Sequence, residues 1–346
     1  MRAVVCPAYG PPEVVRLQEA PSPRPAAGQV RVRVAAAAVN FPDVLLIAGK
    51  YQVPAAPPFV PGSEFAGVVV ELGEGVTDFA IGDRVTGTGL FGAFADEVAV
   101  AHATLTLVPQ GVDLRTAAAF GVAYRTAYHT LRSMARVGAG DRLIVLGAGG
   151  GVGLAAVQSA ARLGAEVTAV ASSSAKLAAA ERYGARRLID RTAGPLRAAL
   201  RDALPEGADA VIDPVGGDVA EPALRSLTRR GRFVTVGYAS GVIPRIPLNV
   251  VLIKGVQLVG FQFRDLDPAE YRRNEEELAA LLAGGHIRPH IGAAYPLEQA
   301  AAALRHVADG RAIGKVLVDL QEGHPVDGRG IRRDRPYSLR RGTDHA

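Results

Sequence analysis

The chain has one cysteine, Cys6, among its 346 residues. An intrachain disulfide and a cysteine-built zinc cluster are therefore both excluded. No apolar run approaches the roughly twenty residues that cross a bilayer. The N-terminus shows no secretory pattern of charge followed by an apolar stretch. The expectation is a soluble, cytoplasmic protein without a membrane span. Basic stripes with interleaved aromatics are missing as well. The net charge of +5 is scattered, and nucleic acid is not an expected partner. The seven histidines show no metal-ligand spacing such as a pair one helical turn apart. No internal repeat is visible. Against these absences, 49% of the residues are hydrophobic and 21% charged, which is enough for a real core, and the length suits two domains.

The most informative segment present is Leu143-Ile144-Val145-Leu146-Gly147-Ala148-Gly149-Gly150-Gly151-Val152-Gly153, which runs straight into Leu154-Ala155-Ala156-Val157-Gln158. An apolar strand, a glycine turn and a helix start together make a pyrophosphate site. Missing side chains let the backbone approach the phosphates, and the first helical N–H groups favour negative charge. Gly150, Gly151, Val152 and Gly153 are the expected contacts. By itself the pattern is also that of a tight turn.

An NAD site ends the following strand, here Glu166–Ala171, with an acidic residue for the ribose 2′-hydroxyl. This chain reads Ser172-Ser173-Ser174-Ala175-Lys176 there, with no carboxylate. Hydroxyls and an ammonium suit a 2′-phosphate, so NADPH is the expected cofactor, bound by Ser172, Ser173 and Lys176. Arg191, after the strand Leu188-Ile189-Asp190, is a further candidate. The alternative is that Ser174 caps a helix and that Lys176 is solvated.

Strands are expected at 142–147, 166–171, 187–190, 209–213, 231–237 and 256–261, separated by helical stretches rich in Ala, Leu and Arg. Six strands with crossover helices predict a doubly wound parallel sheet of the Rossmann type over 125–261, in an α/β protein. Residues 1–124 hold alternating runs such as Val30-Arg31-Val32-Arg33-Val34, punctuated by Pro and Gly, and predict an antiparallel β domain. A charged helix Pro268–Leu282, a helix Leu297–Ala308 and a strand Lys315–Val318 follow, and 262–320 is expected to complete the first domain. The polar, aperiodic stretch 321–346 is expected to be a disordered tail.

These residues resemble the medium-chain dehydrogenase/reductase superfamily and, within it, the zinc-independent quinone oxidoreductases related to zeta-crystallin. The resemblance covers about residues 1–320. It rests on Val39-Asn40-Phe41-Pro42-Asp43, Pro61-Gly62-Ser63-Glu64-Phe65-Ala66-Gly67, Gly82-Asp83-Arg84-Val85, Gly150-Gly151-Val152-Gly153, Asp213-Pro214-Val215-Gly216-Gly217 and Gly314-Lys315. It implies a GroES-like β domain beside the Rossmann sheet. The zinc enzymes of the superfamily carry a cysteine in C-x-x-D and a histidine in G-H-E. Here those positions are Asn40 and Ser63, and the structural zinc loop is absent. Neither residue supplies a thiolate or an imidazole, so no catalytic metal is expected.

The resemblance places Asn40, Asp43 and Tyr51 beside the substrate as catalytic residues. The alternatives are turn and cap chemistry ahead of Pro42 for Asn40 and Asp43, and a surface aromatic for Tyr51. It also implies cofactor contacts for Thr126, the alternative being helix packing, and for Phe261 and Gln262 after the sixth strand. Val215 after the fourth strand and Gly237 and Tyr238 after the fifth are candidates because they end strands at the carboxyl edge where ligands sit in doubly wound sheets. The alternatives are β-turn chemistry for the glycines and core packing for Phe261. Lys315 is a candidate for the cofactor's phosphates; the alternative is a solvated strand start. Without a Lewis acid the substrate must already be electrophilic, which selects quinones or enones reduced by hydride transfer. One rival is an enoyl-thioester reductase with Tyr51 as proton donor, since Asn40, Asp43, Ile47, Gly49 and Tyr51 also meet that pattern. Another is a non-catalytic NADPH-binding protein. The expected assembly is a homodimer acting on a small molecule.

Overall fold

The computed structural model describes residues 1–320, so the tail expected over 321–346 lies outside the described residues. The chain divides into two compact units. One is Met1–Val122 together with the chain from Leu282 onward; the other is Ala123–Leu281.

The first unit opens with β1 (Arg2–Val5) and β2 (Arg16–Glu19), an antiparallel pair. Strand β3 (Gln29–Val39) is its spine. Val30, Val32 and Val34 point inward while Arg31 and Arg33 point out, the period of two that a half-buried strand requires. Arg31 reaches Glu71 and Glu97 on the strands to either side. The far end of β3, Ala36–Val39, is buried throughout. Helix α1 (Phe41–Ile47) follows, then β4 (Glu64–Leu72), β5 (Arg84–Thr88), β6 (Glu97–Ala101), β7 (Leu105–Leu107) and α2 (Leu114–Ala118).

The second unit begins within α3 (Gly121–His129). Its elements are β8 (Arg142–Leu146), α4 (Gly151–Arg162), β9 (Glu166–Ala171), α5 (Ser174–Arg182), β10 (Arg187–Asp190), α6 (Leu196–Ala203), β11 (Ala208–Asp213), α7 (Ala220–Arg225), β12 (Leu227–Thr235), α8 (Leu248–Lys254), β13 (Gln257–Gly260) and α9 (Pro268–Ala283). The six strands are parallel in the order β10-β9-β8-β11-β12-β13. In the central β8, Leu143, Ile144, Val145 and Leu146 are all buried, so both of its faces are apolar, as a strand covered on both sides requires. The order reverses between β8 and β11, which is where a doubly wound sheet opens a ligand crevice.

The chain then returns to the first unit with β14 (Ile291–Pro296), α10 (Ala300–Ala308) and β15 (Lys315–Asp319). Strand β15 pairs antiparallel with β3, and the sheet runs β14-β15-β3-β4-β5-β7, with β6 also on β3. Among the described residues, no helix is long and apolar enough to cross a membrane.

Several boundaries differ from the sequence reading. The return to the first unit comes at Leu282 rather than 262. Helix α9 stays with the second unit because Glu275 binds Arg125 and His129 of α3, at 2.9 and 2.8 Å. Strand β12 starts at Leu227, four residues before the expected 231. The early part is irregular: its register with β11 shifts, and Arg230 adopts a left-handed φ of 62°. Strand β14 was not expected, because Ile291-Gly292-Ala293-Ala294-Tyr295-Pro296 carries little hydrophobic alternation. It pairs parallel with β15 across the α10 crossover, so the first unit's sheet is not wholly antiparallel.

Candidate active site

In the second unit the turn after β8 is as tight as its composition demands. Gly147 has a left-handed φ of 61°, and its carbonyl accepts Gly150 N–H at 2.9 Å. A Cβ on Gly153 would lie 2.0 Å from that carbonyl oxygen, so glycine alone lets α4 start this close to the strand. Gly150 is the N-cap of α4 and offers no capping side chain, which leaves the first-turn N–H groups of Gly151 and Val152 for a ligand.

Lys176 lies across the turn. A Cβ on Gly149 would meet the lysine stem at 2.4 Å. The Lys176 ammonium is 3.5 Å from Ser172 Oγ. The cap of α5 is Ser173 rather than Ser174: its hydroxyl accepts Lys176 N–H at 3.4 Å. Burial, and then the neighbouring Arg191 guanidinium, pull the Lys176 ammonium below the usual lysine range. Ser172, Ser173, Lys176 and Arg191 thus form one cationic, hydroxyl-bearing group at the ends of β9 and β10. Asp190, at the end of β10, is tied to the backbone and hydroxyl of Thr192.

The end of β11 meets the same turn, since a Cβ on Gly147 would strike Val215 Cγ2 at 2.6 Å. Asp213 is fully buried, and its Oδ1 accepts the N–H groups of Val215 and Gly216, both at 2.8 Å. Burial pushes its carboxyl above the usual range. Gly237 and Tyr238 pack on this turn: Gly237 N–H reaches the Asp213 carbonyl, and Tyr238 covers Gly216. Phe261 stacks edge-on against Phe263, 4.8 Å between centroids, and Gln262 opens the short helical turn that follows. Arg125 sits over the same Phe263 ring at 5.6 Å, which brings the neighbourhood of buried Thr126 to this end of the sheet.

In the first unit, β3 delivers Asn40 as the N-cap of α1. Asp43 completes the capping box: its Oδ2 accepts Asn40 N–H at 2.7 Å. The cap chemistry is therefore real, and it is joined to something the sequence reading did not foresee. Glu64 starts β4, is wholly buried, and binds Lys315 Nζ through Oε2 at 3.0 Å. Lys315 also donates to Asn40 Oδ1 at 2.5 Å. Asn40 Nδ2 donates to Glu64 Oε2 at 3.1 Å and to Ser63 Oγ at 3.4 Å. The other Glu64 oxygen accepts Val122 N–H at 2.7 Å. Lys315 is thus not a solvated strand start, and its ammonium is held inside the first unit instead of being free for the cofactor's phosphates. The available signal was a carboxylate at the head of the apolar run Phe65-Ala66-Gly67-Val68, since a buried charge requires a partner.

Tyr51 is half-buried and packs against the first unit's apolar core. Among the described residues, no hydrogen bond joins it to Asn40, Asp43 or Lys315.

Residues 26–110 match the alcohol dehydrogenase GroES-like domain family, and residues 151–281 match the zinc-binding dehydrogenase family. A bovine quinone oxidoreductase-like protein 2 is 37% identical over 326 residues, covering 92% of this chain and 93% of the relative. The chain belongs to the quinone oxidoreductase family of the medium-chain dehydrogenases/reductases. The human synaptic vesicle membrane protein VAT-1 homolog is 33% identical over 340 residues, 92% of this chain and 86% of that protein. The Escherichia coli quinone oxidoreductase, solved with NADPH, superposes with a TM-score of 0.86 at 27% identity, covering 92% of this chain and all of that one. The family fold accounts for both sheets: a parallel Rossmann-type sheet, and a GroES-like sheet that the C-terminal segment completes.

Proposed function

We propose that the protein reduces quinones or conjugated enones with NADPH and without zinc. The observation that carries this reading is the first-unit cluster. The two positions that hold zinc ligands in the metal-dependent relatives are Asn40 and Ser63, hydrogen-bonded to each other beside a buried ammonium. An amide, a hydroxyl and a fixed positive charge disfavour a dication.

The second unit fits NADPH. A Cβ on Gly150 would find only the Gly147 carbonyl, at 3.5 Å, so the turn is open where a pyrophosphate approaches. Gly150, Gly151, Val152 and Gly153 would hold the diphosphate; Ser172, Ser173, Lys176 and Arg191 the 2′-phosphate. Thr126, Val215, Gly237, Tyr238, Phe261 and Gln262 would line the nicotinamide end. Bound NADPH supplies a hydride. The chain's residues orient the substrate and offer hydrogen-bond donors to the oxygen on which charge develops. Asn40, with its carbonyl on Lys315 and its amide N–H groups on Glu64 and Ser63, fixes the half-buried Ser63 hydroxyl for such a role.

The homodimer is part of the same proposal. Leu248, Leu252 and Ile253 of α8 are 71%, 83% and 64% exposed, and the next strand, β13, is an edge of its sheet among the described residues. An apolar face beside an open sheet edge suits a second copy of the chain.

The test is NADPH oxidation against a panel of quinones, enones and enoyl-thioesters, before and after exhaustive chelation, with wild type and Tyr51→Phe. Quinone turnover should survive chelation and stay within about tenfold of wild type in Tyr51→Phe. Strong enoyl-thioester activity that collapses in Tyr51→Phe would make Tyr51 a proton donor and overturn the reading. NADPH binding without turnover on any substrate would leave a binding protein.

A further inference from the structure

Reduction of a quinone by hydride leaves negative charge on an oxygen, and a proton must follow. Tyr51 lies outside the hydrogen-bonded cluster, so the donor is sought within it. Asp43 is 1% exposed, and only Oδ2 is engaged, by Asn40 N–H. Its Oδ1 is buried and completes no well-formed hydrogen bond among the described residues. The Ser63 hydroxyl is close enough to weaken the carboxyl's hold on its proton, and Ser63 itself is only half-buried. A proton on Oδ1 would give that oxygen a partner, by donation to Ser63 Oγ.

We propose that Ser63 hands the proton to the reduced substrate and that the buried Asp43 carboxyl reloads it. The inference rests on the functional reading above, in which Asn40 and Ser63 meet the substrate. Once the quinone has taken its hydride, its oxygen carries the charge. The Ser63 O–H bond breaks and an O–H bond forms on that oxygen. The Asp43 O–H bond breaks as its proton moves to Ser63 Oγ, so the hydroxyl is never left as an alkoxide. The resulting Asp43 carboxylate is stabilised by Asn40 N–H and by the field of Lys315. After product leaves, a proton from bulk solvent (hydronium or a buffer acid) passes through Ser63 to the Asp43 carboxylate and restores the starting state. One hydride and one proton are consumed per quinone, and the hydroquinone is neutral.

The electrostatics suit a proton store. Burial lifts the Asp43 carboxyl to about 7; Asn40 N–H, the Ser63 hydroxyl and the Lys315 ammonium pull against it, and the Glu64 carboxylate adds to the rise. An acid poised near working pH is the effective kind.

Ser63 is then the catalytic residue, and Asp43 acts through it. The test is the pH profile of kcat/KM for a quinone that the wild type reduces. In wild type it should be flat below neutral pH and fall above about 7, as the acid form is lost. Asp43→Asn keeps the shape of the side chain and the cap acceptor but cannot ionise. It should lower kcat by about ten- to a hundredfold, leave KM and NADPH affinity within about twofold, and abolish the fall above neutral pH. Ser63→Ala should do the same, and Ser63→Thr should restore most of the rate. A separate readout needs no turnover: an infrared carboxyl band that titrates near neutral pH in wild type, is absent in Asp43→Asn and titrates higher in Ser63→Ala. A wild type that reduces no quinone defeats the functional reading itself. An active wild type whose pH profile is unchanged in Asp43→Asn or Ser63→Ala, or which lacks that band, defeats the relay alone.

Discussion

Replacing Lys315 by methionine separates the role the structure gives this lysine from the one its sequence context suggests. The Lys315 side chain is 4% exposed, and its ammonium binds Glu64 Oε2 at 3.0 Å and Asn40 Oδ1 at 2.5 Å; the Glu64 side chain is fully buried. Methionine fills nearly the same volume, so the loss is electrostatic. Glu64 would keep the Val122 and Asn40 N–H groups but lose the ammonium that balances its charge. Breaking a buried pair from one side costs about 3–5 kcal/mol, because a charge is left uncompensated. Against a total stability of about 5–15 kcal/mol, that is a large share. Denaturant unfolding should therefore show Lys315→Met about 4 kcal/mol less stable than wild type. The double variant Glu64→Gln/Lys315→Met removes both charges and keeps an amide that can still accept from Val122. It should recover at least half of the loss, so the pair should couple by about 2 kcal/mol in a double-mutant cycle. NADPH affinity of folded Lys315→Met should stay within about twofold, whereas loss of a charge-assisted phosphate contact worth about 1.5–3 kcal/mol would weaken it tenfold or more. A Lys315→Met penalty below about 1 kcal/mol, or a tenfold drop in NADPH affinity without loss of stability, would refute the reasoning.

Three further outcomes follow from the second unit. NADPH should bind more tightly than NADH, and Lys176→Asp should erode that preference by about tenfold in parallel cofactor titrations; equal affinities in wild type would sink the 2′-phosphate assignment. Gly153→Ala puts a Cβ 2.0 Å from a carbonyl oxygen that cannot yield, so NADPH affinity should fall by about tenfold or more while the first unit's unfolding is unchanged; wild-type binding would show that the turn relaxes at little cost. Leu252→Glu, at a position 83% exposed, should convert dimer to monomer in sedimentation without lowering stability; an unchanged mass would remove α8 from the interface.

The local pattern of this chain specified a good deal. The strand-glycine-helix segment from Leu143 to Leu154 is legible because each of its requirements is local: an apolar strand, a turn without side chains, and a helix whose start follows within a few residues. The same holds for the lack of a carboxylate at Ser172–Lys176, and for the six-strand alternation, in which continuous apolar runs mark strands covered on both faces. Cap chemistry at Asn40 and Asp43 was legible as an alternative, because the capping box that the fold forms there is confined to four residues.

What stayed out of reach depended on distant partners. Nothing near Lys315 in sequence indicates that it meets Asn40 and Glu64, which are 275 and 251 residues away; β15 brings it there by pairing with the end of β3. Helix α9 reads as a charged surface helix until Glu275 is found on Arg125 and His129. Strand β14 has too little apolar alternation to declare itself and exists because β15 offers an edge. Hydrophobic period and turn chemistry are properties of neighbouring residues, so the sequence alone determines elements and glycine turns. A buried charge is tolerated only with its counter-charge, and which chain segment supplies it is decided by the tertiary fold.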